Sequence, residues 1–120
     1  MPPEPSDNAA YLADMLFYAE QVVSRMTGAT FSQFQADDDF RLATERRIEL
    51  IGEAARHITQ DFQDAHPEIP WRPIIAQRHI LAHEYGEVID EKIWRVATQH
   101  IPSLIDQLVP LVPDPPEATE

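Results

Sequence analysis

YLADMLFYAEQVVSRM, residues 11–26, decides the fold class. Its apolar residues Tyr11, Leu12, Met15, Leu16, Ala19, Val22, Val23 and Met26 recur at spacings of three and four. That pattern lines one stripe of a helix, whereas a half-buried strand alternates every second residue. Asp7 or Asn8 stands where an N-cap belongs, and Gly28 follows where a helix can close. Downstream, TFSQFQADDDF (residues 30–40) reads as a linker that lays Phe31, Phe34 and Phe40 over the core. Asp37, Asp38 and Asp39 mark the solvated start of a second helix, where negative charge suits the helix dipole. That helix is expected to carry Ile48, Ile51, Ala55, Ile58 and Phe62 on one stripe.

DAHPEIPW (residues 64–71) reads as a loop, with a third helix starting near Trp71–Pro73 because proline is tolerated in a first turn. It runs through Ile74, Ile75, Leu81, Ala82 and Tyr85 to a stop at Gly86. Asp90 is the expected cap of a fourth helix bearing Ile93, Val96, Ala97, Ile101, Leu104, Ile105 and Leu108, which Pro102 should kink or split. No stretch alternates like a strand. The expectation is an all-α, up-and-down bundle of four to five helices over residues 8–109. Residues 1–7 and the Pro-rich acidic residues 110–120 read as tails.

With 43% hydrophobic and 25% charged residues in 120, the composition fits one globular domain. Cysteine is absent, which excludes disulfides, thiolate zinc sites and a cysteine nucleophile. No apolar run approaches the roughly 18 residues of a membrane span, and no basic-then-apolar leader opens the chain. A cytoplasmic protein without membrane contact is expected. The net charge of −12 repels nucleic acid on average, but it is uneven. Residues 71–100 balance Arg72, Arg78, Lys92 and Arg95 against Glu84, Glu87, Asp90 and Glu91, and also hold His79, His83 and His100.

Within that neutral stretch Arg78, His83 and Tyr85 form R-x4-H-x-Y. At about 100° per residue, Arg78 and Tyr85 nearly eclipse one another and His83 lies about 140° round from the arginine. One helix thus presents a fixed cation, a group titrating near neutrality and a phenol. That set suits metal-free RNA cleavage: a base takes the 2′-OH proton, the oxygen attacks the adjacent phosphate, and a cation steadies the added charge. The route needs an acid as well as a base, which two copies across a twofold axis would supply, so a homodimer is expected. His79, His83 and Glu87 also match an H-x3-H-x3-E metal pattern, but Gly86 interrupts it and a fourth ligand is missing, so no metal or other cofactor is assigned. Glu49, Glu53 and His57 lack the E-x-x-H spacing of a di-metal bundle. Glu53 is expected to contact a basic residue of the motif helix instead. His57, His66 and His100 read as surface or capping residues, and Trp71 and Trp94 as core.

The motif, preceded by PEIPW and followed by VIDEKIW, together with IELIGEAARHI at residues 48–58, resembles the HepT toxins of the HEPN superfamily. Phe31, Phe34 and Asp37 fit the linker of those proteins, and the likeness spans residues 8–109. The resemblance implies a dimeric helical bundle with the motif helices lining a cleft between protomers. It implies a metal-independent ribonuclease toxin acting on tRNA or mRNA, paired with an MntA nucleotidyltransferase antitoxin. Carried over, Arg78 and His83 become the catalytic pair, and Tyr85 a supporting residue and the acceptor of AMP groups. The position after the arginine, usually asparagine in the family, is His79 here, a supporting polar group whose charge varies with pH. The alternative is a helical adaptor that binds a small nucleotidyltransferase without cutting RNA.

Overall fold

A computed structural model of the chain describes residues 7–76 and 87–113. The described residues hold helices and turns and no strand, an all-α bundle. Helix α1 spans Asp7–Met26 and buries Leu12, Met15, Ala19, Val22 and Met26. It stops at Gly28, whose φ of 79° is left-handed and costs other residues strain. Helix α3, Asp38–Arg56, buries Ile48, Ile51, Ala54 and Ala55 against α1. The two run antiparallel. Asn8 meets Thr59 at one end, Tyr11 stacks on His57 at 5.0 Å, and Arg47 Nε donates to Gln21 Oε1 at 3.0 Å further along.

Four local expectations are corrected. The linker contains a helix, α2 (Phe31–Ala36), because T-x-x-Q forms a capping box. Gln33 N–H donates to Thr30 Oγ1 at 3.1 Å and Thr30 N–H to Gln33 Oε1 at 2.9 Å. Its Phe34 is fully buried, 5.5 Å from Trp94 and 5.3 Å from Phe40. The second long helix does not reach Phe62. It ends at Arg56, and Thr59 caps a separate helix α4, Gln60–Ala65, by accepting from Phe62 N–H. Asn8 caps nothing. It lies inside α1, buried, and its amide closes a reciprocal pair: Nδ2 donates to Thr59 Oγ1 at 3.1 Å and Oδ1 accepts from Thr59 N–H at 3.0 Å. Asp90 is not a cap either, since helix α6 begins three residues earlier, at Glu87–Arg95.

Residues 71–76 are helical and form α5 as far as it is described. Trp71 is buried in its first turn and its indole N–H donates to His66 O at 3.0 Å. After α6 the backbone widens into a π turn, Val96–His100, in which Ile101 N–H reaches back five residues to Val96 O. Helix α7, Ile101–Leu108, follows with Pro102 in its first turn. Proline cannot donate to the carbonyl four residues back and its ring collides with it, so the split falls where the sequence places it. Helix α7 packs on α1 through Ile101, Leu104 and Leu108. A single 3-10 turn, Val109–Leu111, ends it, with Leu111 and Val112 against the core. No helix among the described residues is long and apolar enough to cross a membrane.

Candidate active site

Arg78, His79, His83 and Tyr85 lie outside the described residues, as does Gly86. The structure describes the frame on either side of them. On the upstream side, α5 sits directly on α3. A Cβ added at Gly52 would lie 2.8 Å from Ile74 O, closer than real carbons come. The glycine of I-G-E-A therefore lets two helix backbones touch just before the motif. Ala76, the last described residue of α5, stands two residues before Arg78 in the sequence.

On the downstream side, Ile89 and Ile93 bury one face of α6. Asp90 Oδ1 lies 3.4 Å from Arg41 Nε, with side chains only 14% and 21% exposed. Arg41 also donates to Asp38 Oδ1 at 2.6 Å and to Gln35 O at 2.7 Å, so one guanidinium ties α2, α3 and α6 together. Its pKa is raised, first by the Asp38 hydrogen bond and then, against desolvation, by Asp90. Beside this network, burial and the charge of Glu49 push the Glu45 carboxyl up.

Glu53 follows Gly52 on α3. Arg56 Nη2 donates to Glu53 Oε1 at 2.7 Å, which raises the arginine pKa, and His57 Nε2 lies 3.3 Å from the same oxygen. The expected contact of Glu53 with the motif helix falls outside the described residues. His57 and His66 cap the C-termini of α3 and α4, and His66 packs 4.4 Å from Phe62. His100 sits exposed in the π turn. Trp71 is buried, and Trp94 is half-buried against Phe31 and Phe34 at 5.8 and 5.5 Å. Among the described residues no group of three or more His, Asp or Glu is arranged to hold a metal.

Two of the openings among the described residues lie beside α5. One is a small apolar hollow of about 60 Å³ between α3, α5 and the π turn, lined by Ile48, Ile51, Ile74 and Val96 among others. It is too small and too apolar for a nucleotide. The other is an open groove beside the start of α5 that includes Arg56 and Arg72. Sequence reading counted Arg72 in the neutral stretch without placing it, and missed the Gly52 contact and the Arg41–Asp90 pair. The glycine in I-G-E-A was the available signal for the first, and the latter pair has none, since its members stand 49 residues apart.

The family profile described as "Ribonuclease HepT-like" matches residues 15–111, from the third turn of α1 through the frame and the motif to Leu111. The chain belongs to the HepT-like ribonuclease family. A protein of Thermococcus cleftensis named "Probable ribonuclease HepT" is 36% identical over 94 residues, covering 78% of this chain and 86% of its own. A Caldanaerobacter subterraneus protein named "Putative RNase TTE0752" is 34% identical over 98 residues, covering 82% of this chain and 88% of its own. A Methanocaldococcus jannaschii protein named "Putative RNase MJ1380" is 31% identical over 98 residues, covering 82% and 90%. No solved structure matches the chain. The HepT-like assignment gives the frame its meaning: the Gly52 contact and the α6 anchor hold the two ends of the segment that carries R-x4-H-x-Y.

Proposed function

We propose that this HepT-like chain is a metal-independent endoribonuclease toxin, acting in the cytoplasm on tRNA or mRNA. The observation that carries the reading is the family match across residues 15–111, within which R-x4-H-x-Y stands complete at Arg78, His83 and Tyr85. His83 takes the proton from a ribose 2′-OH, and the freed oxygen attacks the adjacent phosphorus. Arg78 steadies the charge that builds on the non-bridging oxygens. The bond to the 5′-oxygen breaks, and that oxygen leaves with a proton from the partner's His83, giving a 2′,3′-cyclic phosphate and a 5′-hydroxyl. The acid makes a homodimer of the 8–109 domain part of the proposal. His79 and Tyr85 support the site. An MntA-like nucleotidyltransferase silences it by placing AMP on Tyr85, which sets phosphates beside Arg78 and His83 and occupies them.

The net charge of −12 favours a second reading, a helical adaptor that binds a nucleotidyltransferase and leaves RNA alone. One assay separates the two. Unmodified protein, checked by mass, is incubated with total tRNA and EDTA beside His83→Ala. Cleavage leaving cyclic phosphate ends, reduced about 10²–10⁴-fold in the variant, is the expected result. A dimeric, unmodified wild type that leaves the RNA whole would establish the adaptor.

A further inference from the structure

The groove beside α5 plays no part in the cleavage chemistry just described. Its volume is about 710 Å³, on the scale of small-ligand sites. Pro70, Trp71, Pro73 and Ile75 give it apolar surface, and Arg56 and Arg72 give it two guanidiniums. Arg72 is exposed and enters no ion pair among the described residues, whereas Arg56 is shared with Glu53. The indole N–H of Trp71 is committed to His66 O and its ring is buried, so it supplies wall and not a stacking platform. The one carboxylate on the lining, Asp64, accepts from the Gln60 amide at 2.9 Å. Ile75, on the lining, stands three residues before Arg78 in the sequence, so the groove adjoins the chain that enters the motif.

We infer that this groove is a backbone-binding subsite for single-stranded RNA, in which Arg72, with Arg56 beside it, holds a phosphate of the strand that is cut at Arg78 and His83. The inference rests on the ribonuclease reading. A guanidinium matches phosphate oxygens in two-pronged fashion. Apolar surface beside it suits a base, the combination by which single strands are held without sequence preference. An acidic peptide would use the arginines and leave the proline and isoleucine surface bare. On a chain this acidic, an exposed guanidinium at Arg72 with no ion pair among the described residues gives a substrate polyanion a place to land.

The test uses the full chain and a labelled 2′-O-methyl RNA of a dozen nucleotides, which binds but cannot be cut. Fluorescence anisotropy gives Kd across a salt series. One phosphate contact to a single strand contributes a salt slope of about 0.7, or about fivefold in Kd near 0.1 M salt. Arg72→Ala should weaken binding by that factor and flatten the slope by that amount. Arg72→Lys should restore the slope but only part of the affinity, since it keeps the charge and loses the two-pronged contact, and Asp64→Asn, which removes the opposing charge, should tighten binding. An unchanged Kd and slope in both Arg72→Ala and Asp64→Asn would overturn the subsite. So would an Arg72 effect on a poly-glutamate peptide with none on RNA. Cleavage of the matching 2′-hydroxyl RNA in EDTA runs alongside. A wild type that binds through Arg72 but does not cut keeps the groove and sinks the ribonuclease; one that cuts with no Arg72-dependent binding sinks the groove alone.

Discussion

Helices α1 and α3 meet along long, continuous apolar stripes, whereas the described turn of α5 and helix α6 join a smaller apolar face to a close backbone contact and polar ties. The α1–α3 pair is redundant: Leu12, Met15, Ala19 and Val22 meet Ile48, Ile51 and Ala55, and the Asn8–Thr59 exchange closes one end. Losing one side chain there weakens a surface that many others share. The α5–α6 frame also buries side chains, Trp71, Ile89 and Ile93, but among the described residues its position is set as well by one glycine, one indole hydrogen bond and one ion pair. Mutations in the shared core and at these ties should therefore differ in how they divide between stability and cleavage.

The sharpest separation uses one residue of α1 and one of α3. Met15 is fully buried in the shared core, and Met15→Ala should cost about 2–5 kcal/mol of unfolding free energy through the cavity it leaves. Protein that remains folded should keep its cleavage rate. Gly52→Ala should cost at least about 1–3 kcal/mol, because the added carbon meets backbone at Ile74 O and only a shift of α5 itself relieves the overlap. That shift moves the start of the motif segment, so cleavage should fall at least tenfold in protein that is still folded, a change of about 1.4 kcal/mol in barrier. Urea unfolding and initial cleavage rates on the same preparations check both. Equal losses of stability and rate in the two variants would erase the distinction between the regions.

At the other end of the frame, Asp90→Asn removes the ion pair with Arg41 and keeps the shape. Arg41 retains Asp38 and the Gln35 carbonyl, so the loss should be modest, about 1 kcal/mol. Amide exchange should rise at Ile89–Ile93 and stay unchanged in the middle of α1. Exchange that rises equally in α1 would show α6 to be part of the shared core.

The same contrast explains what was legible beforehand. The long stripes of α1 and α7 were readable because burial imposes a helical period over several turns, and so was the break near Pro102, which follows from a missing N–H. The end of α3 was not, because Ile58 and Phe62 continue the stripe while the backbone stops. His57 and Ile58 turn their N–H groups back to Ala54 and Ala55, and Thr59 starts a new helix. The capping box at Thr30 and Gln33 was available in the sequence, but three phenylalanines in eleven residues masked it as linker. At the site, the motif residues were named from sequence and lie outside the described residues. The contacts that hold their two ends needed coordinates, since Gly52 meets Ile74 and Arg41 meets Asp90 only through the tertiary fold.

The smallest effect is expected where the two regions meet, at Glu45. Burial first, then Glu49, raises its pKa, Arg41 opposes the shift, and Asp90 adds to it. A carboxyl with a raised folded pKa binds its proton more tightly in the folded chain than in the unfolded one. Below the unfolded value both states are protonated and nothing is lost. As pH rises from there through the folded value, ionisation costs the folded state more, and stability falls across that window. At neutral pH the charge on Glu45 is therefore a standing penalty. Glu45→Gln should raise the melting temperature at pH 7, leave it unchanged well below pH 4, and flatten the decline between. The gain should be smaller in an Asp90→Asn background, because one of the charges that raises the Glu45 pKa has gone. Melting curves of the four chains at acid and neutral pH decide it, and equal gains in both backgrounds would show that Asp90 does not act on Glu45 across the α3–α6 contact.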